Sequence, residues 1–460
     1  MILNIIFAIC VYPILPILYF VMKTNSKPKK NVLIGVTLPS EFLEDEEVDK
    51  ISSLFKKDLK RITIIYALIP ITFFFVGYTS IGLTMWMVWM LGAIFGTSRS
   101  YIKYNKRLNL LKAEKQWKLK NVNKTMVDIK TVAENISTIN KPLFVLTIII
   151  SCIPGLYELL QAPGTKSFLP NVTITISIGI ITLLCFVCGI FMDRQKAEVI
   201  SLNSTINANF NRAKKRNWSK CWIYMAWINT AYTIAIWACM EGVLLNSLAF
   251  MLLTIIYTVL IIFICIRACL NIQKMGKKIV GEDLEQVLCD DDSNWIYGMI
   301  YYNPNDKHTM VDKRVGLGAT VNMATPTGKW CVGFAVISIL LIPVMCIWLM
   351  FEEFTPISLE FSNNQIVAEH LKVEYAINID DIKEIKIITQ LPSTQKRMGT
   401  GMEKLEKGSF SVNGYGECDL CLNPQNNVFI VITTADNTYI LSDEDNVVTK
   451  KVYDEVKKDK

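Results

Sequence analysis

Histidine is nearly absent. The 460 residues include two, His308 and His370, which leaves no material for a His-based catalytic triad or a multi-histidine metal site. Charged residues are scarce as well, at 19% against 52% hydrophobic, with a mean hydropathy of +0.33. That balance is too apolar for an ordinary soluble protein of two or three domains. No G-x-x-x-x-G-K-[ST] loop, H-E-x-x-H or G-x-S-x-G run occurs, so an ATP-driven pump or a zinc protease of that type has no signature here. The chain is read as a non-enzyme with no cofactor, no metal and no nucleic-acid partner.

Long apolar runs are what the chain has in quantity. Eight reach the roughly 17 to 25 residues that cross about 30 Å of hydrocarbon: 2-22, 62-78, 80-97, 143-161, 172-192, 221-240, 243-266 and 330-350. Gly77 and Gly82 flank the junction of the second and third, so these read as a hairpin with a tight turn, because one helix of that length would overrun the bilayer. Lys and Arg number 9 in 23-61, 11 in 98-142, 7 in 193-220 and 8 in 267-329, against Lys166 alone in the three connectors opposite. The alternation puts the basic segments in the cytoplasm and, with eight spans, both termini outside. The first run has no basic residues before it and is followed by Lys23, Lys27, Lys29 and Lys30, the charge order of a retained anchor.

Between the spans, 41-61 places Glu41, Glu44, Asp45, Glu46 and Glu47 before Lys56, Lys57, Lys60 and Arg61, an order that complements a helix dipole. The segments 99-130 and 194-220 read as charged helix extensions, with Trp117 and Trp218 at the interface and basic heads near anionic lipid. Segment 285-329 differs. Asp290, Asp291 and Asp292 precede Trp295, Tyr297, Tyr301 and Tyr302, then Asn303-Pro304-Asn305-Asp306, then a loosely alternating run from Val311 to Met323 around Gly316 and Gly318. This predicts a short β-hairpin under the bundle, with the acid run as a solvated loop lacking calcium-loop spacing.

The tail, 355-460, has no spanning run and is acidic, with 19 Asp and Glu against 12 Lys and Arg from residue 352 on. Ile357 to Phe361, Gln365 to Glu369, Leu371 to Ala376, Ile382 to Ile388, Val428 to Thr434 and Tyr439 to Ser442 predict strands. Val447, Val448, Val452 and Val456 predict a closing helix over 446-458. The fold class is therefore an α-helical transmembrane bundle plus a small C-terminal β-rich domain.

Several short motifs are familiar. Ile382-Lys-Glu-Ile, Gly399-Thr-Gly401, Lys407-Gly408 and Gly414-Tyr-Gly416 ahead of Val428 to Thr434 resemble a bacterial pleckstrin-homology-like domain of the sublancin-type bacteriocin immunity proteins. Trp295-Ile-Tyr-Gly-Met-Ile-Tyr-Tyr-Asn-Pro, Lys313-Arg314-Val-Gly-Leu-Gly, Lys112-Ala-Glu-Lys115-Gln-Trp117 and Arg216-Asn-Trp218-Ser are similar to uncharacterised multispanning proteins of Gram-positive bacteria. The resemblance implies protection from a membrane-active peptide rather than chemistry, with an antimicrobial peptide or envelope component as partner besides the lipid bilayer. It also implies a cytoplasmic tail, where the charge count implies an external one.

Candidate sites are few. Glu158 and Glu241 are ionisable groups at span ends, read as facing interfacial water. Asn229, with Thr230 and Thr233, either lines a cavity or bonds neighbouring helices. Trp295, Tyr301, Tyr302, Lys313 and Arg314 mark the 285-329 motif as a binding or structural element. Lys396, Arg397, Lys404 and Lys407 form a basic loop, the element by which pleckstrin-like domains often bind phosphoinositides, but Glu403 and Glu406 lie in the same loop and it is read as solvated. Cys185 and Cys188 share a helix face without a histidine or carboxylate nearby. Cys418-Asp-Leu-Cys421 has redox spacing, but a disulfide requires a turn there, since residues i and i+3 of a strand face opposite ways. A secondary transporter built on the hairpins is the alternative reading.

Overall fold

The computed structural model describes residues 2–29, 31–117, 137–160, 168–201, 203–240, 247–282, 290–314 and 318–459. Glu241, Lys166 and Gly316 lie outside them.

The N-terminal region is helical. Helices α1 (Ile2–Val11) and α2 (Ile14–Thr24) are divided at Tyr12 and Pro13, α3 is Glu46–Leu68, and α4 is Thr79–Glu114. These are followed by α5 (Lys141–Leu160), α6 (Phe168–Asp193), α7 (Ser204–Met240), α8 (Ser247–Glu282) and α9 (Pro326–Phe354). Among the described residues, seven helices are long and apolar enough to cross a membrane, which is compatible with a multi-pass membrane protein. The spans in α8 and α9 are the least covered, and in α9 Trp330, Phe334, Leu340, Val344 and Phe351 are all exposed. Such an all-round apolar surface suits lipid, not water.

The expected run 62-78 is the one that does not form such a helix. The α-helix that begins at Glu46 carries charge as far as Arg61 and ends at Leu68, and Ile69–Phe75 is a 3₁₀ helix. Pro70 sits at its start, where a residue without an N–H cannot continue the α ladder. The hairpin itself is present: α3 and the 3₁₀ segment pack along α4, and Val76 to Tyr78 make the turn.

Helix α3 forms because Asp45 accepts the Glu47 N–H (2.9 Å) and Glu46, Glu47 and Asp49 occupy the first turn, both favourable at a helix N-terminus. Its face of Val48, Ile51, Phe55 and Leu59 packs on Tyr101, Tyr104, Leu108 and Leu111 of α4. Nearer the turn, Gly92 and Gly96 of α4 admit the Tyr66 ring; a Cβ at Gly96 would lie 2.9 Å from it. A second group comprises α5 to α8, and α9 packs against α4.

Six of the tail's strands fall on the runs read from sequence. They are β7 (Ser358–Ser362), β8 (Gln365–His370), β9 (Val373–Asn378), β10 (Glu384–Ile388), β14 (Phe429–Thr433) and β15 (Thr438–Leu441). The remaining three, β11 (Thr394–Gly401), β12 (Glu406–Val412) and β13 (Gly416–Leu422), lie outside the predicted runs. Strands β7 to β9 form an antiparallel meander, and the six-stranded sheet runs β10-β14-β15-β13-β12-β11. Helix α10 (Asn446–Asp459) closes the core between them with Val452 and Val456.

Candidate functional site

Two polar assemblies lie at opposite ends of α4, which at about 1.5 Å per residue is about 54 Å long. The first gathers at its C-terminal end. Two short strand pairs, β3 (Trp295–Ile296) with β4 (Ile300–Tyr301) and β5 (Met310–Asp312) with β6 (Ala319–Val321), replace the single hairpin expected. Another pair, β1 (Val32–Leu33) with β2 (Val36–Thr37), lies beside them. The buried Asn322 holds the turn together by accepting the Asn303 N–H (3.0 Å) and donating to the Asn303 and Asp306 carbonyls, each at 2.9 Å.

The acid run is neither solvated nor arranged as a cation site. Lys112 Nζ of α4 lies 2.9 Å from Asp290 and 2.8 Å from Asp292. Arg314 pairs with Asp291 and Asp292, donates to the Gly35 carbonyl (3.1 Å), and lies over the Trp295 ring. Trp295 Nε1 donates to Asp291 (3.0 Å), and the Thr37 hydroxyl donates to Asp292 (2.7 Å). Burial pushes the Asp292 carboxyl up, but Arg314 and Lys112 outweigh it and hold it below the usual range. Close by, Asp306 accepts from Lys196 Nζ (2.7 Å), the His308 N–H (3.0 Å) and the hydroxyl of the buried Tyr301 (3.1 Å). Against the cost of burial, Lys196 and His308 lower Asp306 to about 2. Lys214 of α7 joins Glu198 and Asp312. Tyr302 and Lys313 are exposed beside this layer. Trp295, Tyr301 and Arg314 are thus consumed by internal bonds that tie the motif to α4 and β2.

The second assembly is at the N-terminal end of α4. Glu353, in the last turn of α9, accepts the Ser80 N–H (2.8 Å) and the Ser80 hydroxyl, and Glu403 accepts the Thr79 N–H (2.7 Å). These carboxylates cap a helix start whose amides have no partners within the helix. For Glu403, burial acts upward, yet the bonds from Thr79 leave the carboxyl below its ordinary value. Between β11 and β12, Lys404 Nζ lies 5.6 Å from the Tyr78 ring centre and 5.4 Å from that of Phe354. Lys407 Nζ is 3.0 Å from Glu352 and 3.0 Å from Nδ1 of His370, whose Nε2 donates to the Thr355 carbonyl (3.2 Å). His370 is 1% exposed. Burial, then the Lys407 charge, holds its imidazole below the usual value. The tail domain is thereby bonded to both the turn of the α3–α4 hairpin and the end of α9.

Residues 359–454 match the bacterial PH domain family. A PH domain at this position fits a membrane- or lipid-associated role. Residues 304–329, within the strand-pair motif, match a family of unknown function (DUF5808). No curated protein and no solved structure matches the chain.

Within the PH domain, the basic residues singled out by sequence separate. Lys396 and Arg397 are exposed on the edge strand β11, with Arg397 at a bulge and 2.7 Å from Glu417. Lys407 is buried and faces the bundle instead, because its strand partner positions carry it to the side where Glu352 and His370 lie. Cys418 and Cys421 are free thiols, so the disulfide is overturned. They share β13 without a turn, and Cys418 packs with Phe410 and Phe429 while Cys421 packs with Ile430 and Val452 on the other side.

In the helical region Glu158 is 2% exposed and accepts the indole N–H of Trp237 (2.9 Å), so it faces the helices rather than interfacial water. Asn229 bonds neighbouring helices. It donates to the Ile178 carbonyl and Thr182 hydroxyl and accepts from the Tyr257 hydroxyl, each at 2.9 Å. Sequence reasoning missed Glu352, Glu353, His370 and Glu403. The available signal was a pair of acids closing an otherwise apolar helix, at the end where the dipole disfavours them. Among the described residues, no group of three or more His, Cys, Asp or Glu is arranged to hold a metal ion.

Proposed function

We propose that this is a non-enzymatic integral membrane protein that presents a PH domain at one end of a helical bundle, there to bind a peptide, lipid head group or envelope component, with bacteriocin immunity as the specific role. The observation that carries this reading is the junction of Glu353, Glu403 and Lys407 with the bundle. It holds the domain against the end of the helices and leaves the edge carrying Lys396 and Arg397 exposed to solvent. The test is expression of the protein in a sensitive host challenged with a panel of membrane-active peptides. Reduced killing by at least one peptide, lost in a Lys396→Ala, Arg397→Ala double variant that still reaches the membrane, is the expected result. Unchanged sensitivity across the panel removes the immunity role.

A second reading, a secondary transporter, is favoured by the burial of Glu158 among the helices, since intramembrane carboxyls commonly mark ion or substrate paths. Glu158→Gln keeps the acceptor for Trp237 and removes the charge. Flux or phenotype that survives this change sinks the transport reading.

A further inference from the structure

The helical region contains a sulfur cluster that neither reading uses. Cys221 and Met225 are one turn apart on α7, and Cys265 faces them from α8. The Cys221 and Cys265 thiols both point at the Met225 thioether, with Sγ to Sδ distances of 4.0 Å and 3.8 Å. Cys221 is 3% exposed, and Cys265 and Met225 are half-buried.

We propose that Cys221, Met225 and Cys265 bind one soft monovalent metal ion of the Cu(I) or Ag(I) class. Thiolate and thioether donors select such ions over hard cations. With metal–sulfur bonds of about 2.3 Å, three sulfurs in a trigonal plane stand about 4 Å apart, so the two thiol–thioether separations already match those of a bound ion. Zinc does not fit, because it takes four ligands and, among the described residues, no third cysteine, histidine or carboxylate joins the two thiols. Binding exchanges the two thiol protons for the ion: each S–H bond breaks, its proton leaves to solvent, and each thiolate donates a pair to the metal. The thioether donates a lone pair and releases nothing. The product carries one negative charge, and Lys220 and Arg267 lie within two residues of the thiols along the chain.

The experiment uses the full chain in detergent micelles without oxygen, titrated with Cu(I) against a colorimetric chelator. The expected result is one ion held per chain, about two protons released, and an X-ray absorption spectrum with a shell of three sulfurs. Cys221→Ser and Cys265→Ser should each weaken retention by more than about 100-fold, beyond the cost of losing an outer partner, and Met225→Leu by about tenfold. Cys346→Ala, in α9, should leave it unchanged. Binding that scales with total thiol number, or that is the same in all four variants, overturns the proposal. Should a serine variant fail to fold, the absorption spectrum of the unsubstituted protein still decides, since a shell with fewer than three sulfurs excludes the site.

Discussion

Arg314 is held by two carboxylates, a carbonyl and an aromatic face. Removing it takes the guanidinium from Asp291 and leaves Asp292 with Lys112, both in a partly buried site, and breaking such a pair typically costs about 3–5 kcal/mol. Arg314→Ala should lower the thermal midpoint of the detergent-solubilised protein clearly. Arg314→Lys should recover little, because an ammonium cannot reach two carboxylates and a carbonyl at once. Asp306 gives the same layer an acid limit. Its carboxyl titrates lower in the fold than in the unfolded chain, so its contribution is complete above about pH 4 and is lost as pH falls toward about 2.

His370 has the opposite charge type and acts in another pH window. Its folded-state value is depressed, so the unfolded chain binds the proton more readily and stability falls as pH drops through and below about 6.5. A proton on Nδ1 would meet the Lys407 ammonium head-on. Protease cleavage within 402–405 should therefore quicken between pH 7.5 and 5.5, and His370→Gln should flatten that dependence. A wild-type profile equal to that of the variant would exclude the effect.

At the scale of elements, α4 and α9 meet by supplying what the other lacks. The first amides of α4 have no internal partner, and the last turn of α9 carries two acids where its own dipole disfavours them. Replacing Glu353 and Glu403 by Gln removes the charge from both caps. A loss of about 1 kcal/mol for each is expected, read as faster amide exchange in Thr79 to Leu83 and in the 402–405 turn together. Exchange that rises in only one of the two would show that the elements are not coupled. The strands β7 to β10, β14 and β15 are legible because apolar, β-branched residues recur between polar turns. Strand β11 is not: Thr394 to Gly401 is polar, glycine-containing and exposed along most of its length, and it is a strand only because β12 pairs with it.

For the whole molecule, the two ends of α4 decide sidedness. The strand-pair motif is bonded to one end through Lys112, and the PH domain to the other through Thr79 and Ser80. Reporters placed after Lys460 and at Tyr78 should therefore report the same side of the membrane, and one inserted at Pro304 the opposite side. The same reporters decide which of the two sides is the cytoplasm, between the external tail expected from the charge count and the cytoplasmic tail implied by the resemblance. If the reporters at Tyr78 and the C-terminus disagree, the packing of the domain on the hairpin turn is wrong.

Apolar run length, charge alternation and strand periodicity are properties of the chain read in order, so the helical region, its hairpins and the β-rich tail were determined by sequence alone. Partner choice is different in kind, because it joins residues far apart in the chain. Asp290 to Asp292 read as a solvated run until Lys112 and Arg314 are brought to them, and Lys407 reads as part of a solvated basic loop until Glu352 and His370 bury it. Only the tertiary structure decides such pairings, since burying a charge is tolerated only where an opposite charge or hydrogen-bonding group arrives with it.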